Sequence, residues 1–167
     1  PLNVVNDPRN IPLSRKIDIL SAYNKQILEA DKLIPMSSVH YSEKYTHKWF
    51  CNSEGSYLDI EHIDLSGGLV PIAIKDGQTQ MASVGFGSSR DFNVILGKEK
   101  QLEQACRNAV KLLDAPPIEG GVYTALIDPL LAGVFAHEPF GHTREGEKVF
   151  ENETPAQVIK TGRPLAQ

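Results

Sequence analysis

The chain has 167 residues, of which 41% are hydrophobic and 23% charged, with a formal net charge of −4. This is ordinary globular composition, enough for one domain and part of a second, and the negative balance argues against broad electrostatic binding to nucleic acid or to a membrane surface. No apolar run is long enough to cross a bilayer, and the two cysteines, Cys51 and Cys106, make no disulfide framework, which predicts a reducing, cytoplasmic home.

After Pro12 a helix is expected over residues 14–30, with Ser14 as its N-cap. Ile17, Leu20, Tyr23, Ile27 and Leu28 recur near the helical period and form its expected apolar stripe. From about Ser37 to Ser88 the pattern changes. VHYSEKYTHKWF, GSYLDIEHIDL and LVPIAIKDG are rich in aromatic and β-branched residues and predict three short strands. NSEG (52–55), between the first two, and KDGQ (75–78), at the end of the third, are hairpin turns. Hairpin turns cannot join parallel strands, so an antiparallel meander follows. GFGSS (85–89) lacks the Lys-Ser/Thr ending of a phosphate loop and any helix directly after it, and is expected to be a flexible turn.

A second helix fits about 98–113, with Leu102, Ala105, Cys106, Ala109, Val110 and Leu113 on one face. Cys106 is thereby a core thiol. The prolines and glycines of DAPPIEGG (114–121) end that helix. GVYTALI (121–127) reads as a strand. Asp128 and Pro129 then supply an N-cap and a first-turn proline. The apolar run LLAGVFA (130–136) is expected to pack as a helix leading into two histidines. The order helix, meander, helix, strand, helix is an α+β arrangement. Residues 1–115 are expected to form an N-terminal α+β domain, and 118–167 to begin a second domain. The chain starts at Pro1 rather than Met and ends at RPLAQ without a closing element, so a piece of a longer protein is expected.

The stretch AHEPFGHTREGE (136–147) holds His137, Glu138, His142, Glu145 and Glu147. Histidines four apart on a helix both face one metal, but these are five apart. On a regular α-helix five residues turn about 500°, which leaves the rings roughly 140° apart. A π-type turn returns residue i+5 over residue i. Pro139 has no N–H for the carbonyl of Phe135, and Gly141 weakens the helix further, so the sequence supplies a cause for such a turn. Neutral imidazole is a common zinc ligand, and a carboxylate beside it can take the proton of a water made acidic by the metal. His137 and His142 are therefore the expected ligands of Zn2+, and Glu138 the catalytic carboxylate. A catalytic zinc takes three protein ligands and keeps an open position. The third is left open among Glu145, Glu147, a cysteine and a residue outside this chain. Glu145 is otherwise expected either to hold a histidine ring in orientation or to be a solvated acid.

HEPFGHTREGE resembles the HExxxHxxEGD-type signature of the TldD/PmbA metallopeptidases, a family also described as modulators of DNA gyrase. The likeness covers most of the chain: the N-terminal helix, the NSEG hairpin, GFGSS, the helix before APP and the strand before the histidines stand in the family's order. Pro139 stands where a small residue such as Ala is usual, and Glu147 where Asp is usual. Because it keeps the histidine motif, the chain is similar to the TldD-type subunit rather than to its PmbA-type partner. The resemblance implies a zinc peptidase of small or unfolded polypeptides with His137 and His142 as ligands and Glu138 as the catalytic carboxylate. It implies a homodimer, or a heterodimer with a PmbA-type subunit; the charge and the lack of a long apolar run already point to no nucleic-acid or membrane partner. It also implies a third ligand, a cysteine, far beyond this chain, so the chain alone is expected to be inactive. The rival reading is a non-catalytic regulatory subunit of the same fold that holds peptides or a partner.

The remaining candidates have blander readings. Cys51 is expected to be structural, and His40, His47 and His62 to be surface or half-buried residues of strands. Trp49 is expected in a core or a domain contact. Asn152-Glu-Thr fits a glycosylation acceptor, with nothing else suggesting secretion.

Overall fold

The structure is a computed structural model that describes the backbone of residues 4–142 and 145–151, with side chains there except at 148, 149 and 151. Asn152 lies outside the described residues. The chain divides into two compact units, Pro1–Pro117 and Ile118–Gln167.

In the first unit, helix α1 runs over Leu13–Ala30. Pro12 holds its N-cap position and no side chain caps it, so Ser14 lies inside the helix rather than before it. Its inward row is Lys16, Ile19, Tyr23 and Ile27. Ile19, Tyr23 and Ile27 are spaced by four and stack on one face. Ile17 and Leu28 were expected in that stripe but are 52% and 43% exposed, because they lie about 120–140° round the helix from Tyr23. Tyr23 is buried with its hydroxyl satisfied: it donates to the Ile95 carbonyl at 2.9 Å and accepts from the Lys98 N–H at 3.3 Å. The buried Lys16 ammonium sits 2.7 Å from both carboxylate oxygens of Glu43.

The sheet is antiparallel. Strand β1 (Met36–Cys51) pairs along its whole length with β2 (Tyr57–Lys75), turning through Asn52–Ser56. The Asn52 side chain accepts from the N–H groups of Glu54 and Ser56, and Gly55 takes φ 89°, which glycine adopts without strain. The second and third expected strands are thus one. No turn breaks them at Ser66–Gly68, because both glycines are used for packing. A Cβ on Gly67 would meet the Phe86 ring at 2.3 Å and the His40 carbonyl at 2.6 Å, and one on Gly68 would meet the His40 ring at 2.5 Å. Strand β3 (Gln78–Met81) returns along the end of β2 through Asp76 (φ 51°) and Gly77 (φ 79°), the consecutive positive angles of a tight hairpin turn.

Strand β4 (Val84–Ser88) also pairs with β2, from Leu65 to Leu69. GFGSS therefore begins as a strand rather than a flexible turn, since Gly85 and Phe86 lie opposite Gly68 and Gly67 and fit the space those glycines leave. Pro71 is fully buried within β2, where a missing N–H would normally break a ladder. It falls between the end of the β4 pairing at Leu69 and the start of the β3 pairing at Ile72.

Helix α2 spans Glu99–Leu112 and buries Leu102, Ala105, Cys106 and Ala109, as its periodicity requires. These side chains pack with Ile19, Tyr23 and Ile27 of α1, with Leu65, Leu69 and Ala73 of β2, and with Phe86 of β4. Two helices covering one face of an antiparallel sheet make the α+β class. The ends of β1 and β2 away from this core carry exposed Trp49, Phe50, Tyr57, Leu58 and Ile60. Trp49 is 61% exposed, with its ring 3.6 Å from that of His47, so it is not a core residue.

In the second unit, GVYTALI forms no strand. A strand needs a neighbour for its N–H and C=O groups. None among the described residues pairs with this stretch, and Val122 and Leu126 are fully exposed. Helix α3 (Pro129–Ala136) follows, then a π-helical turn (His137–Gly141) and a short helix α4 (Gly146–Glu151). The packing expected for LLAGVFA is not found: α3 has no buried residue, with Leu130 79% and Phe135 62% exposed. The run is apolar on every side, so an amphipathic docking onto one surface would not cover it.

Candidate metal centre

The site is built by a helix that starts cleanly and is then forced to change pitch. Asp128 caps α3: its carboxylate accepts the Leu131 N–H at 2.8 Å, while its carbonyl accepts from Ala132. Pro129 occupies the first turn, where its lack of an N–H costs nothing. Ten residues on, Pro139 removes a donor from within the helix. The chain responds with the π-helical turn over His137–Gly141, in which the His142 N–H donates to the His137 carbonyl five residues back.

This turn brings the two imidazoles together. Their ring centroids are 4.4 Å apart, edge to face at 69°. One ligand atom each from His137, Glu138 and His142 falls within 4.8 Å of the other two. His142 Nε2 is 3.7 Å from Glu138 Oε2. On its other edge, His142 Nδ1 is 2.6 Å from Glu145 Oε1. His137 and Glu138 are exposed and His142 is half-buried, so the cluster is open to a ligand from outside. Two imidazole nitrogens suit a borderline divalent cation such as zinc, and the Glu138 carboxylate stands beside them.

Of the residues singled out in the sequence, the structure brings His137, Glu138 and His142 into one cluster and sets Glu145 against His142. Glu147 lies in the first turn of α4 and is not in the cluster. Within the first unit, Cys106 is buried in α2 and its thiol pKa is raised by that burial, whereas Cys51 is exposed. His47 is paired with Asp59 at 2.6 Å and His62 with Asp64 at 2.7 Å.

One contributor was missed by sequence reasoning. Gly141 does more than weaken the helix: a Cβ there would stand 3.3 Å from His137 Nδ1. The absent side chain leaves room for the imidazole. The signal was present, since residues 137 and 141 are i and i+4 and lie on one side of a helical turn.

The chain matches the model of the PmbA/TldA metallopeptidase central domain over residues 6–113, which stops short of the histidines. It is 32% identical over 158 residues to a metalloprotease of Synechocystis sp., covering 94% of this chain and 34% of that protein. It is 30% identical over 152 residues to a metalloprotease of Methanocaldococcus jannaschii, covering 89% of this chain and 32% of that protein. A metalloprotease of Methanothermobacter thermautotrophicus is 25% identical over 152 residues, 88% of this chain and 32% of that protein. The chain thus spans about a third of the length of the curated relatives it matches. An alignment that covers 94% of the chain spans the histidine segment as well.

Proposed function

This chain belongs to the PmbA/TldD family of metallopeptidases, and from that premise we propose that it supplies the metal-binding segment of a zinc peptidase acting on small or unfolded polypeptides. The observation that carries the proposal is the convergence of His137, Glu138 and His142 across the π turn. His137 and His142 would hold the ion, and the third ligand would come from chain beyond these residues. Zinc held there supplies Lewis acidity, which makes water a nucleophile near neutral pH.

The chain's own residues divide the remaining work. Glu138 follows His137 directly in sequence, so its carboxylate is carried on the same turn as the ligands. From there it accepts the proton of the attacking water and returns it to the leaving amine. A subunit that only held peptides would have no use for a carboxylate at that place. The open, half-exposed cluster admits an extended polypeptide. Free Cys51 and Cys106 fit a reducing, cytoplasmic compartment. No helix of the described residues is long and apolar enough to cross a membrane. The working protein would be a homodimer, or a heterodimer with a PmbA-type subunit. The 167-residue chain by itself would hold zinc weakly and cleave nothing.

The test is cleavage of an unfolded polypeptide by the full-length protein. Cleavage lost on chelation and restored by zinc supports the proposal; cleavage indifferent to a chelator contradicts it.

A further inference from the structure

An imidazole binds a metal only through a nitrogen that carries no proton, and a neutral ring has its single proton on one nitrogen or the other. Which nitrogen is bare is decided by the partner of the second one. At His142 the structure names that partner. Glu145 Oε1 lies 2.6 Å from Nδ1. A carboxylate is an acceptor only, so the proton of this bond belongs to Nδ1, and in the neutral ring that binds a metal Nε2 is the bare nitrogen.

The opposite edge of the ring faces the cluster. Nε2 is 3.7 Å from Glu138 Oε2, on the side where the donors of His137 and Glu138 gather. The two ring nitrogens point apart, so one carboxylate stands at the front of His142 and the other at its back. Glu145 is not one of the residues whose donor atoms converge within 4.8 Å. Of the roles the sequence left open for Glu145, a ligand, a holder of a ring or a solvated acid, this geometry favours the second.

We propose that Glu145 is a positioning residue that fixes the Nδ1–H tautomer of His142 and so presents a bare Nε2 to the site, an assignment that rests on the metallopeptidase reading for its purpose. The short stretch from His142 to Glu145 ties the two together: the Glu145 N–H also donates to the His142 carbonyl at 3.4 Å. The Glu145 side chain and its own N–H thus both reach back to His142.

The experiment uses the full-length protein with 15N-labelled histidine, free of metal, with spectra taken at rising pH until they no longer change. Long-range 1H–15N spectra read the tautomer of His142, identified by the signals that vanish in His142→Ala. The parent should show a protonated Nδ1 and a bare Nε2. Glu145→Ala should shift the ring toward the Nε2–H form, while Glu145→Gln, whose side-chain oxygen still accepts, should keep the parent tautomer. Zinc competition should show a loss of about 10–100-fold in affinity for Glu145→Ala and a smaller loss for Glu145→Gln. A parent with a protonated Nε2, or a Glu145→Ala protein with unchanged tautomer, overturns the proposal. So does a Glu145→Ala protein that loses zinc as completely as His142→Ala, since that is a ligand's behaviour. A parent that shows the Nδ1–H ring but binds no zinc supports the hold on His142 and overturns the metallopeptidase reading instead.

Discussion

The ring of His137 meets the ring of His142 edge to face at 4.4 Å, across five residues of chain. A regular α-helix would leave them roughly 140° apart. The His142 N–H on the His137 carbonyl is the bond that closes this angle. A missing donor at Pro139 and a missing side chain at Gly141 thus serve the same end, which is to let two imidazoles face one point.

Gly141→Ala tests the space this turn leaves. The new methyl group would stand 3.3 Å from His137 Nδ1, so the ring must give by a few tenths of an ångström. His137 is exposed and can move, but it then leaves the common focus with His142. The crowding should cost about 1 kcal/mol, the lower end for overpacking. That is roughly a fivefold loss of zinc affinity in the full-length protein. Chelator competition measures it, and an unchanged affinity would show that His137 need not stay where the structure puts it.

Glu138→Gln separates holding the metal from using it. The amide has the same shape but cannot take a proton from water. Zinc content should stay near the parent's, while cleavage of an unfolded polypeptide should fall by about 10²–10⁴-fold. A variant that cleaves as fast as the parent removes Glu138 from the chemistry.

Gly67→Ala probes the first unit. Its Cβ would stand 2.3 Å from the Phe86 ring and 2.6 Å from the His40 carbonyl. A ring can turn, but the carbonyl belongs to the paired strand β1 and cannot yield without opening the ladder. Destabilisation of about 3 kcal/mol is expected, at the upper end of ordinary overpacking. Urea unfolding of this unit measures it. By contrast, Gly85→Ala meets nothing within 4 Å and should be far milder.

The sequence carried the local rules well and the tertiary choices less well. Asp128 and Pro129 announced the start of α3, and the five-residue spacing around Pro139 and Gly141 announced a π turn, because caps and missing donors act within one turn of chain. Hydrophobic period alone placed α2 and its buried face. For α1 the same rule admitted Ile17 and Leu28 to the stripe, and only the sheet against which Ile19, Tyr23 and Ile27 pack decides the direction. The expected strands stopped on either side of Ser66–Gly68, yet β2 runs straight through. Here the glycines make room for Phe86 and His40, residues remote in sequence. GVYTALI has the composition of a strand, but strand formation belongs to a pair, and the described residues provide no second member. At the candidate metal site, residue types and spacing named His137, Glu138 and His142, which the structure brings together, while only a distance sets Glu145 against the Nδ1 edge of His142.

Hold of the metal by His137 and His142 is the proposal on which the others depend. Its most direct test is the zinc content of the full-length protein beside that of the His137→Ala, His142→Ala double variant, both purified without added metal. The account predicts about one zinc per chain in the parent, as for a single catalytic site, and a large loss in the variant. Equal zinc in the two proteins would contradict it.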